Sequence, residues 1–265
     1  MLTKLLKYEF KATARLFLPF YLVLLVFALV NRFIDFEQLV AIDAQVFGFG
    51  VLEMFGFLAR LLYFVLVVGI QVMTLLILLQ RFYKSLLGDE GYLMFTLPVH
   101  PRQHIVSKLI AAAVWITASG LVTASSIMII TARAGMWEVL QRAVSVFGSA
   151  FGVTGFFVFP GALLAVMASG ILMIYAAVAL GHISPRHKIL VSLAWYAALG
   201  FASTTLLFIF LTRIRAPLQE ITGVINDGMA INLGIVWYVL LPAVVLGAIY
   251  FVLTNYILER RLNLE

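Results

Sequence analysis

Cysteine is absent and charge is scarce: only 11% of the 265 residues are Asp, Glu, Lys or Arg. Without cysteine there is no disulfide framework and no thiolate metal site. A soluble domain is about one-quarter charged, so this composition excludes an ordinary soluble globule. No GxxxxGK[ST] loop occurs, so the chain does not by itself bind ATP in that way. There is no GxSxG nucleophile elbow and no HExxH helix. No Asp-rich pair is placed to hold a metal-bound diphosphate at a membrane face. His100 and His104 stand four apart, but with Pro101 between them they do not make a closed metal site, and no metal is expected.

What is abundant is apolar sequence, 64% of the residues. It is gathered into runs of about 20 residues, long enough to cross a hydrocarbon core as helices. Backbone groups in lipid must be satisfied within their own segment, so such runs read as helices and not as barrel strands. The pattern predicts an all-α, polytopic membrane protein with six spans: Leu16–Arg32, Phe57–Gln80, Ile105–Thr131, Phe156–Leu180, Ile189–Thr212 and Gly234–Leu258. Residues 1–15 form a separate amphipathic segment ahead of a single transmembrane domain, 16–265. The basic start followed by the apolar run to Val30 is read as a retained first span, since Ala28-Leu29-Val30-Asn31 offers no cleavage site. Pro19 falls near the start of the first span, Pro160-Gly161 predicts a kink in the fourth, and Pro242 lies inside the sixth.

With six spans both termini share one side. If that side is cytoplasmic, it holds twelve of the 18 Lys and Arg, every lysine and all four histidines. That is the positive-inside pattern. The net charge of +6 is therefore a topology signal spread over several loops, and nucleic acid is not expected as a partner. The segments 33–56, 132–150 and 213–233 fall outside. In 132–150, Trp137, Leu140, Val144 and Phe147 recur at helical spacing and predict a short interfacial helix.

In residues 1–15, Lys4, Lys7, Lys11 and Arg15 fall in one stripe at 100° per residue, opposite Leu2, Leu5, Leu6 and Phe10. This is a helix lying at the lipid headgroups. Glu9 projects from the apolar face. Either it snorkels or pairs with a nearby lysine, or that face packs on protein and Glu9 meets a cation there.

No Asp, Glu, Lys or Arg sits near the middle of any span, so the ionisable groups of proton- and ion-coupled carriers are missing. Arg60 and Lys108 lie near span ends and can reach the interface. The polar residues within spans are mild, among them Gln71, Ser119, Thr123, Ser203 and Asn255. Their default role is close helix packing. The other reading is a weakly polar path for an amphipathic substrate.

One long segment with soluble chemistry lies on the positive side, Arg81 to Lys108. Asp89 can cap a short helix, and Glu90 in its first turn is favoured by the helix dipole. Gly88 and Gly91 allow a sharp turn into it. Tyr92, Leu93, Phe95 and Leu97 make an apolar-aromatic knob that Pro98 stops. Pro101 suits the first turn of the next helix. The knob reads either as a re-entrant helix packed on the bundle or as a ball for a partner's socket.

The segment DEGYLMFTLPV followed by SKLI resembles the cytoplasmic loop between spans 2 and 3 of permeases in the ABC-2 class of ATP-binding cassette transporters. The opening LLKYEFKATARLFLPFY is similar to the N-terminus of small bacterial permeases of that class. His100-Pro101 departs from the usual small hydroxyl residue at that turn. The resemblance implies an ABC-2 permease fold, like the type V exporters, in a bacterial cytoplasmic membrane with both termini cytoplasmic. It implies a coupling helix within 81–104 built on Asp89, Glu90, Gly91, Tyr92, Phe95 and Pro98. It implies two copies of an ATPase subunit holding ATP and Mg, and a second permease copy or sibling. This chain would hold no cofactor and would not be an enzyme by itself. Residues 214–233 would form short hairpin-like helices dipping in from the outer face. The expected function is the permease of an ATP-driven exporter for an amphipathic cargo such as a peptide antibiotic or a lipid. A scaffold or sensor that binds an ATPase, or an intramembrane enzyme, are the alternatives.

Overall fold

The computed structural model describes residues 2–33, 51–84, 101–131, 136–184, 187–224 and 228–260. They form six helices: α1 (Leu2–Phe33), α2 (Val51–Phe82), α3 (Pro101–Thr131), α4 (Met136–Gly181), α5 (Lys188–Val224) and α6 (Gly228–Arg260). Each contains a stretch long and apolar enough to cross a membrane. All six begin or end beyond the spans expected from hydropathy, because flanking residues continue the helix once its ladder has started.

Residues 2–33 are one unbroken helix, with no boundary near residue 15. At about 1.5 Å per residue it is about 48 Å long, longer than a hydrocarbon core of about 30 Å. Pro19 therefore lies mid-helix, where a bilayer-spanning helix tolerates it. The expected kink of α4 at Pro160-Gly161 is joined by a sharper break earlier in the helix. The dihedrals break at Gly152 (φ 64°, ψ −173°), and Pro160 sits inside continuing helix. Proline forfeits one backbone bond but keeps a helical φ, whereas glycine alone reaches that part of backbone space cheaply. Residues 214–224 and 228–233 continue the long helices α5 and α6 and are not separate short helices.

The chain divides into two compact units. One comprises Thr3–Gln80 and Val114–Trp137, and so contains most of α1 and α2 with the second half of α3. Its α1 buries Glu9, Thr13, Phe17, Tyr21, Leu24 and Ala28, one stripe at spacings of three and four. Lys4, Lys7, Lys11 and Arg15 lie opposite and are exposed.

The other unit holds Arg81–Ala113 and Glu138–Glu265. Small residues set its crossings. A Cβ on Gly181 would stand 2.7 Å from the backbone Cα of Ser192, so the end of α4 and the start of α5 approach as only glycine permits. At Gly247 of α6 there is room for more, since a Cβ there would meet Ser169 of α4 at 3.5 Å, an ordinary van der Waals distance. From Lys188 to Arg213, α5 buries no residue.

Candidate functional site

The first unit is held by a polar seam in which α3 is the central helix. Trp115, Ser119, Thr123 and Ser126 follow at steps of four, four and three, so they share one face of α3. Trp115 Nε1–H donates to Thr13 Oγ1 at 2.7 Å, and Thr13 donates its own proton to the Glu9 carbonyl at 2.7 Å. Ser119 Oγ lies 2.7 Å from the Tyr21 hydroxyl and 2.9 Å from Thr74 Oγ1. Gln71 Nε2 donates to Thr123 Oγ1 at 2.9 Å. The Tyr63 hydroxyl lies 2.8 Å from Ser126 Oγ. At the far end, the Arg32 guanidinium donates to the Ile129 carbonyl at 3.2 Å, a cation where the α3 dipole is negative.

Proton direction follows from the local bonds. Thr74 donates to the Ile70 carbonyl, and Ser126 to the Thr123 carbonyl. Their oxygens are then free only to accept. The chain therefore runs Tyr21 to Ser119 to Thr74 to the Ile70 carbonyl, with every proton used once. Tyr63 likewise donates to Ser126. Trp115 and Tyr63 thus donate to hydroxyls, Thr13 and Ser126, whose own protons are spent on their helix, while Ser119 passes its proton across to Thr74. In lipid this is a strong way to fix register, since an unmatched polar group has no water to turn to. Around Trp115 the seam is lined with rings: Phe17 stacks at 4.5 Å, and Phe10 and Tyr21 tilt against it at 6.2 and 6.3 Å.

In the second unit, the end of α2 is fastened to α4. Phe82 and Tyr175, both buried, stack with centroids 3.8 Å apart and planes at 6°. Tyr83, in the widened last turn of α2, meets the His182 ring edge-on at 4.9 Å. His182 lies just past α4. Its Nδ1 is 3.2 Å from the Val178 carbonyl, which only accepts, so Nδ1 carries the proton. Its Nε2 is buried, with no hydrogen-bond partner among the described residues. A second proton there would be an unsatisfied buried donor.

Burial accordingly holds the His182 pKa below the ordinary 6.5; the Val178 carbonyl works against this and the Lys188 charge adds to it. The unfolded chain then binds more protons than the folded one as pH falls below 6.5, so this residue removes stability on the acid side and contributes nothing above it. The Cε1–H resonance of His182 is expected to titrate with a midpoint below 6.5. A midpoint at or above that value contradicts the burial seen here.

The start of α3 carries a third group. His104, Ser107 and Lys108 are all buried, with Ser107 donating to the His104 carbonyl at 2.9 Å. Lys108 is 5% exposed and so does not reach out to the interface; Arg60 is exposed, as expected. Glu9 is 9% exposed. Neither Glu9 nor Lys108 stands without an interaction partner, as buried charges require. The face of α1 that bears Glu9 is thus packed and does not snorkel.

Of the polar span residues, Gln71, Ser119 and Thr123 come together in the seam and are spent on helix contacts. Ser203 and Asn255 belong to the other unit. Ser203 donates to the Gly200 carbonyl at 3.0 Å, and the Asn255 side-chain oxygen is buried without a partner among the described residues. Asp89, Glu90, Gly91, Tyr92, Phe95 and Pro98 lie outside the described residues. Among the described residues no three His, Cys, Asp or Glu side chains gather as a metal site needs.

Thr13, Tyr21, Tyr63, Thr74 and Trp115 carry the seam and escape a reading that looks for polar residues in apolar runs. Their signal is periodic: Thr13 and Tyr21 continue the stripe begun by Glu9, and Trp115 precedes Ser119 by one turn. Searched against known protein families, curated proteins and solved structures, the chain matches none. Fold and composition together define its class as an all-α, multi-pass membrane protein with six helices able to span.

Proposed function

We propose that this chain is the membrane-spanning permease subunit of an ATP-driven exporter of the ABC-2 class, moving an amphipathic cargo such as a peptide antibiotic or a lipid. The observation that carries this reading is the sequence of Asp89–Pro98, which offers a helix cap, an apolar-aromatic run and a proline stop on the lysine-rich side of a chain with no nucleotide loop and no Asp, Glu, Lys or Arg near the middle of a span. An external motor has to supply the work, and this knob is where it would push. ATP and Mg are held by two copies of that ATPase, with both termini of this chain cytoplasmic.

Packing supports the reading. The knob hangs between α2 and α3. The end of α2 is stacked on α4, and the outer parts of both helices are bonded to one another through Thr74–Ser119 and Gln71–Thr123. The helices on either side of this segment are thus both packed on neighbours, as transmission from a motor would require. The surface of α5 supports a second permease copy, since the exposed small and hydroxyl residues Ala202, Thr204 and Thr205 suit close helix contact.

The chain purified from its native membrane is expected to bring with it an ATPase activity that Glu90→Lys and Phe95→Asp each remove. No associated activity in the unaltered chain, or export that survives both substitutions, overturns the coupling role.

A further inference from the structure

The first part of α4, Met136 to Phe151, is more helix than a span requires. The piece from Val153 to Gly181 alone is about 44 Å long at about 1.5 Å per residue, against a hydrocarbon core of about 30 Å. Gly152 separates the two pieces with a backbone conformation essentially reserved for glycine. The elbow is packed on its inner side. Phe147 of the first piece meets Phe156 and Phe159 of the second edge-on, at 4.9 and 5.7 Å. A Cβ on Gly155 would collide with that of Phe151. Ring contacts thus hold the first piece at a set angle to the span.

Its surface has two sides. At about 100° per residue, Glu138, Gln141, Arg142, Ser145 and Ser149 fall within one sector about 100° wide. The exposed Arg142–Glu138 ion pair, 3.9 Å, lies on it. Val139, Leu140, Val144, Val146 and Phe147 occupy the rest, with Trp137 at its edge. Trp137 is 70% and Val146 65% exposed. The bare apolar surface runs on into the span, where Val153 and Phe157 are also exposed. Water does not favour such a face on a folded chain, while a bilayer interface accepts it and favours tryptophan at its level.

We propose that Met136–Phe151 lies in the lipid interface of the leaflet opposite the termini, laid down by the Gly152 elbow. Its partner is the bilayer itself. The apolar sector enters the acyl boundary, the Glu138–Arg142 sector faces water, and the elbow fixes the depth of α4. Continuity with the apolar surface of the span favours lipid over a second protein chain as the occupant. Three spans separate this segment from the N-terminus, which places it on the far side.

The absence of cysteine makes the test direct. Nitroxide labels are attached at Val139→Cys, Val146→Cys, Ser145→Cys and Ser149→Cys in full-length protein in phosphatidylcholine vesicles. The accessibility ratio of oxygen to a water-soluble nickel chelate is then measured. It is expected to be severalfold higher at 139 and 146 than at 145 and 149. Equal ratios with free access of nickel place the helix in water and overturn the proposal. Exclusion of both reagents at 139 and 146 places it against protein and overturns it as well. Adding Gly152→Ala is expected to shrink the contrast, because alanine does not hold that backbone conformation. An unchanged contrast removes the elbow from the explanation. Should that variant not fold, the four labels in the Gly152 background still decide where the helix lies.

Discussion

Trp115→Ala is expected to lower the unfolding free energy by about 3–5 kcal/mol, the range for a large aromatic removed from a packed core. In a bilayer the apolar ring gains little by leaving lipid, so the loss comes from contacts and from the cavity left behind. Both are large here. The ring stacks on Phe17, touches Phe10 and Tyr21, and donates to Thr13. The hole does not collapse easily, because the Tyr21–Ser119–Thr74 chain keeps α1, α2 and α3 in register beside it. Trp115→Phe separates the bond from the ring. It retains most of the packing and should cost only the Thr13 hydrogen bond, about 0.6–1.7 kcal/mol for such bonds in membrane proteins. Thr13→Val added to Trp115→Phe should then cost less than the sum of the two, since one bond cannot be lost twice. Reversible unfolding in mixed micelles reads these differences. A Trp115→Ala variant within about 0.5 kcal/mol of the parent, the range of an ordinary surface change, would mean that the seam does not hold this unit together.

Phe82→Ala should be equally costly, about 3–5 kcal/mol, and should affect more than stability. Phe82 is fully buried, and its ring lies flat on Tyr175 at the last turn of α2 before the knob. Removing it unfastens α2 from α4. Under the permease reading, ATP hydrolysis by the partner should continue in the purified complex while export falls, because the push no longer reaches α4. Trp115→Phe, which leaves the Phe82–Tyr175 pair unaltered, should leave the ratio of hydrolysis to export unchanged. Equal loss of both activities in Phe82→Ala, tracking the amount of folded protein, assigns the stack a structural role only.

The six helices were legible because lipid imposes a rule with few exceptions: about 20 apolar residues in a row must be helical. Hydropathy says little about where such a helix stops. The lysines at positions 4, 7 and 11 suggested a separate interfacial helix, yet the opposite face carries an unbroken buried stripe from Glu9 to Ala28 that makes residues 2–33 one rod. Lys108 lies near a span end, from which a lysine can reach the interface. Depth along a helix does not tell which way a side chain faces, and Lys108 faces inward. Pro160-Gly161 signals a kink in sequence because proline is a common cause of kinks, whereas the lone glycine at 152 gives no local sign of its positive φ. Gln71, Ser119 and Thr123 were visible as polar residues in apolar surroundings. Their partners Thr74 and Tyr21 become visible only when three helices are brought together, because no local pattern encodes a bond across 45 or 98 residues.

The permease reading requires an ATPase to dock on the segment between α2 and α3. A photoreactive phenylalanine analogue placed at Tyr92 or at Phe95, and illuminated in native membranes, tests it most directly. The expected adduct contains a second polypeptide bearing a GxxxxGK[ST] nucleotide loop, and the same probe at the exposed Tyr196 of α5 does not capture it. Adducts at both knob positions that contain only lipid or further copies of this chain would contradict it.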